Sequence, residues 1–164
     1  MNTGTIQPSR RISNGHRLQS VEPTALYANP AAERALLGAL ATSGRRDDLV
    51  RVEREDFTIE SHRVLFDAIA RRLDAGEPID FPLLADDVRP AGVSSADVFE
   101  LFDNPGVSVP AYVPLLHACR MRRLLHGLGA CLETRAGDAA CEPHSLLHWL
   151  ERQVGLIETV AARR

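Results

Sequence analysis

From Pro143 to Arg163 the chain reads PHSLLHWLERQVGLIETVAAR, and two apolar seams run through it. One is Leu147, Leu150, Val154, Ile157 and Ala161; the other is Leu146, Trp149, Gln153, Leu156 and Val160. Both advance by alternating steps of three and four, the interval at which helices pack on helices. The seams lie one residue apart, about 100° around the helix, so the apolar face is wider than one partner helix requires.

The stretch from Tyr112 to Arg135 carries Met121, Leu124, Leu128 and Cys131 at the same interval, flanked by Leu125 and Leu132. The spacing predicts two long helices joined by Ala136-Gly137-Asp138-Ala139-Ala140, a hairpin over residues 111–164. Its expected core is Met121, Leu124 and Leu128 against Leu147, Leu150, Val154 and Ile157. Leu146, Trp149, Gln153, Leu156 and Val160 are then left for another molecule, or for the rest of the chain.

Working backwards, residues 29–110 read as a head of about five short helices. Asn29-Pro30 is a helix start, because Asn caps well and Pro lacks the N–H that a first turn leaves unbonded. Glu33 sits in that first turn, Leu36, Leu37 and Leu40 form the buried stripe, and Ser43-Gly44 ends the helix. A second helix is expected over Asp47–Arg54. A third spans Glu60–Asp74, with Val64, Leu65, Ala68, Ile69 and Leu73 at helical spacing. Asp80 caps a helix over Pro82–Val88, and Ser95 caps another carrying Val98, Leu101 and Phe102, stopped by Asn104-Pro105-Gly106. Strand alternation is absent from the sequence, so the expected fold is all-α. Residues 1–28, rich in Ser, Gly, Asn, Gln and Pro without apolar periodicity, read as a disordered tail.

Composition narrows the function. The chain has 164 residues, an apolar content of 45% and a net charge of −3. All nineteen basic residues are arginine. A phosphate-loop lysine and a Schiff-base lysine are therefore both missing from this sequence. Three arginines stand against one acid in the first 28 residues, and the remainder is acidic. That balance does not favour polyanion binding, so nucleic acid is expected to bind weakly if at all. Arg120, Arg122 and Arg123 form the one basic cluster in the folded part, a candidate partner or nucleic-acid surface. The three cysteines are odd in number and no apolar run reaches membrane-span length, which points to reduced thiols and a cytoplasmic protein. Cys119, His126, Cys131, Cys141, His144 and His148 are the ligand-like residues, but no Cys-x-x-Cys pair is present, and helical cysteine is commonly a small buried apolar group. No metal and no cofactor is expected.

Across the head, Ala32-Glu33-x-x-Leu36-Leu37-Gly38 is followed by Asp56-Phe57, then His62-Arg63-x-x-Phe66, then Gly76-x-Pro78-Ile79-Asp80. With Tyr112 and Arg122-Arg123-Leu124, this order resembles the amino-terminal domain of the DnaB family of replicative helicases, over roughly Pro30 to Ala162. Phe81-Pro82 departs from the Thr-containing cap common in that family. The resemblance implies a domain without the ATPase motor. It implies pairing through the hairpins as a trimer of dimers, a collar over a hexameric motor, with primase and helicase loader docking on or near it. The expected function is a non-catalytic interaction module that assists or blocks primosome assembly. Two alternatives come from the residues alone: a metal-binding or redox-sensing regulator using the Cys/His hairpin, and a DNA-binding accessory protein.

Overall fold

A computed structural model describes residues 27–162. Most of the expected tail, and Arg163 at the end of the expected last helix, lie outside these residues. Every regular element among them is helical, in the order α1 (Pro30–Ser43), α2 (Arg46–Leu49), α3 (Glu60–Ala75), α4 (Phe81–Val88), α5 (Ser95–Asp103), α6 (Val109–Ala136) and α7 (Pro143–Ala162), with short 3-10 turns at Arg54–Asp56 and Arg89–Ala91.

The start of α1 follows its sequence: the Asn29 side chain accepts from the Ala32 N–H at 3.1 Å, and Gly44 closes the helix at φ +60°. The second helix is shorter than the expected Asp47–Arg54. It ends after Leu49 because Val52 turns into the core, at 5% exposure. A new turn then begins where the Glu53 N–H donates to Asp56 Oδ2 at 2.8 Å. The cap of α5 is Ser94, whose hydroxyl accepts from the Asp97 N–H, one residue before the expected Ser95. Asp80 caps α4 as expected, accepting from the Leu83 N–H at 2.9 Å.

Helix α1 is the centre of the head, with Leu36, Leu37 and Leu40 fully buried, and it packs on α3, α5 and α6. Its contact with the α5–α6 connection is too close for side chains. A Cβ on Gly38 would lie 2.7 Å from the Leu101 carbonyl oxygen, and one on Gly106 would lie 2.2 Å from that of Ala35. Arg72 ties α3 to α4: its Nε donates to Asp87 at 2.6 Å and its Nη1 donates to the Pro78 carbonyl at 3.1 Å.

Helix α6 starts at Val109, earlier than the expected Tyr112, with Pro110 in its first turn, where no N–H is needed. Val109, Val113, Leu116 and Cys119 are buried, the first three of them in the head core. A boundary at residue 110 thus falls within the first turn of a helix shared by head and hairpin. The distal half of α6 carries α7, and no residue of α7 is buried.

Candidate interaction surface on the helical hairpin

Helix α7 makes its main contact with α6. Between them runs an apolar groove of about 370 Å³, lined by Leu124, Gly127, Leu128 and Cys131 from α6 and by Trp149, Gln153, Leu156, Ile157 and Val160 from α7. The Arg135 guanidinium lies 4.6 Å over the Trp149 ring, a cation–π contact that turns the indole towards α6.

This arrangement corrects the expected division of the two seams. Leu147 and Val154, expected in the hairpin core, are exposed at 57% and 40%. Trp149, Gln153 and Val160, expected to face outward, line the α6 side with Ile157. Met121, Leu124, Leu128, Leu146 and Leu150 are half-buried. The two seams differ by only one residue in phase, so periodicity does not say which turns inward. The bulk of Trp149 and its Arg135 partner decide that. Leu156 at 62% and Leu125 at 55% are exposed as well.

Of the candidate surface arginines, Arg120 and Arg123 are engaged with the head. Arg120 Nη1 donates to Glu53 at 2.6 Å and reaches Asp56 at 3.4 Å. Burial disfavours its charge, but the two carboxylates outweigh that and raise its pKa. Arg123 donates to the carbonyls of Glu55 at 2.8 Å, Asp56 at 3.2 Å and Tyr27 at 3.2 Å, and burial lowers its pKa. His117 Nε2 stands 3.5 Å from Asp56. These side chains pin α6 to the 3-10 turn of the head, where buried acceptors need a cation. Only Arg122 of the three is exposed.

Asp56 and Glu33, each 1% exposed, are the buried carboxylates that sequence reasoning missed. Glu33 stands in the first turn of α1, as its position in the sequence predicts. It accepts from the Thr58 N–H at 2.9 Å, from the Thr58 hydroxyl, and from His62 Nδ1 at 2.8 Å. Burial pushes its carboxyl up, and the bonds from His62 and Thr58 more than offset this, holding it below the usual carboxylate range. Arg63 Nε donates to the Phe57 carbonyl at 3.0 Å, and the Phe57 and Phe66 rings meet at 5.2 Å. The signal lay in the spaced residues Glu33, Asp56-Phe57 and His62-Arg63: dispersed polar residues of one pattern, without catalytic partners, converging on one another inside the head.

The ligand-like residues do not converge. Cys119 is buried, Cys131 exposed and Cys141 half-buried, and among the described residues no group of three His, Cys, Asp or Glu could hold a metal ion. Among them, too, no helix is long and apolar enough to cross a membrane.

The family described as DnaB-like helicase N terminal domain matches residues 25–111. The structure is similar to the crystal structure of the N-terminal domain of DnaB helicase from Mycobacterium tuberculosis, with a TM-score of 0.70 and 19% identity over 79% of this chain and 97% of that one. No curated protein matches the chain. At that identity the structural likeness speaks for the all-helical fold.

Proposed function

The chain belongs to the family of DnaB-like helicase N-terminal domains, and from that membership we propose a non-catalytic interaction module of DNA replication. It self-associates through the α6–α7 hairpin and engages a replicative helicase, its primase or its loader. The observation that carries this reading is the apolar outer face of the hairpin. Leu125, Leu147 and Val154 are each at least 40% exposed on two helices where the head gives little cover. Such grouped exposure marks a contact surface more often than a solvated one. The module has no lysine, so ATP turnover is not expected of it.

The test is the oligomeric state of the full chain by light scattering at micromolar concentration. Wild type is expected to be at least dimeric. The double substitution Leu147→Glu and Val154→Glu should give a helical monomer, because desolvating two charges in an apolar contact costs several kcal/mol. These positions are exposed in the single chain, so folding should survive. A wild type that stays monomeric at high concentration overturns the self-association. Mixing it with the replicative helicase of its host tests whether that motor is the partner.

A further inference from the structure

The free side of α6 carries one charge of each sign, and its own helix neutralises neither. Arg122 and Glu133 are exposed, and neither side chain is bonded or ion-paired among the described residues. No Asp or Glu stands three or four positions from Arg122, and no Arg or His from Glu133, so the usual counter-charges along a helix are missing. Glu133 lies eleven residues beyond Arg122, a step of about 20° past three full turns and about 16 Å along the axis. The two charges therefore point the same way, at opposite ends of a short line. Between them lie Leu125, exposed at 55%, and Gly129, where an added Cβ would meet nothing within 4 Å. Helix α6 meets the head through Val113, Leu116 and Cys119 and α7 through Leu124 and Leu128, which leaves this line on its open side.

We propose that two copies pair α6 against α6 in antiparallel register, about a two-fold axis beside Gly127 and Leu128, so that Arg122 of each meets the partner's Glu133. This sets the register of the self-association proposed above and rests on it. Charge complementarity selects a second copy as the occupant. A two-fold contact lays a surface on itself with its direction reversed, so a line that is positive at one end and negative at the other is complementary to itself. Parallel pairing would instead set arginine on arginine and glutamate on glutamate. In the antiparallel register each Leu125 opposes the partner's Gly129, the position of the line that carries no side chain. Leu115, exposed at 42%, then comes beside the tip of the partner's hairpin.

The experiment uses the full chain and three variants: Arg122→Glu, Glu133→Arg, and the two changes together. Both side chains are exposed and unpaired in the single chain, so folding should be retained, and far-UV circular dichroism checks it. Self-association is read by analytical ultracentrifugation at low ionic strength. Each single variant sets like charges against each other at both ends of the contact and should raise the apparent dissociation constant about tenfold. The double variant restores both pairs with their signs exchanged and should return to within about threefold of wild type. An equimolar mixture of the two single variants should also associate as wild type does, because each Arg then finds a Glu across the axis. Raising the salt concentration should shrink all these differences. Single variants that associate like wild type overturn the register, and loss of association in Leu147→Glu, Val154→Glu then leaves the hairpin contact standing. Weakened association that neither the double variant nor the mixture restores overturns the register as well. A wild type that stays monomeric removes the self-association, and the register with it.

Discussion

Glu33 and His62 meet inside the head, Nδ1 to Oε2 at 2.8 Å, with neither side chain more than 8% exposed. The contact joins the first turn of α1 to the first turn of α3. Thr58 completes it, so the carboxylate is bonded on both oxygens.

Replacing Glu33 by Ala should be among the most damaging single changes in the head. It removes the shared acceptor and leaves the buried His62 and the half-buried Thr58 without one, a loss of about 3 kcal/mol. Urea unfolding monitored at 222 nm by circular dichroism should show the midpoint fall with the slope preserved. A loss under about 1 kcal/mol would mean that water replaces the carboxylate.

The same carboxylate sets a pH dependence. Its pKa in the folded state is depressed, so the unfolded chain binds the proton more readily. Stability from this site is complete above the ordinary glutamate range and is lost as pH falls through the folded value. The acid limb of the stability curve should therefore be shallower in Glu33→Gln than in wild type. Asp87, held down by its bond from Arg72, contributes in the same direction from a more solvated site. Parallel acid limbs in the two proteins would contradict this.

Arg120→Ala should destabilise the head–hairpin junction. Asp56 is 1% exposed and would lose its nearest guanidinium, at a cost of about 2 kcal/mol. Hydrogen exchange should quicken in the Arg54–Asp56 turn and in α6 around Cys119. Arg122→Ala, at an exposed position, should change the midpoint by under about 0.5 kcal/mol. A DNA-binding role for the cluster would instead show as a salt-dependent affinity lowered by both changes.

Gly106→Ala should be poorly tolerated although the change adds one methyl. Its Cβ would sit 2.2 Å from the Ala35 carbonyl oxygen and 2.6 Å from the Tyr112 ring. The first of these is backbone of α1 and cannot swing aside, so the loss is expected to reach about 2 kcal/mol. Ala at Gly127, where a Cβ meets nothing within 4 Å, should stabilise the helix by about 0.5–1 kcal/mol. Thermal midpoints of the two variants should move in opposite directions.

The sequence by itself determined the helical class, most helix positions and their caps. Asn29 and Asp80 act through bonds within a few residues, Gly44 through its positive φ, and Leu36, Leu37 and Leu40 repeat at a period that admits one buried face. The spaced pattern from Ala32 to Asp80 also carried the family. Other assignments depended on partners distant in sequence. Glu33 became a buried hydrogen-bond hub only when Thr58 and His62 arrived beside it. Arg120 and Arg123, read as a basic patch, became structural ties only against Glu53, Glu55 and Asp56. Which seam of α7 faces inward was undecided by a period that both seams share. Tertiary packing decided it by turning Trp149 under Arg135 and leaving Leu147 and Val154 outside, because side-chain volume and burial act across the hairpin and local spacing records neither.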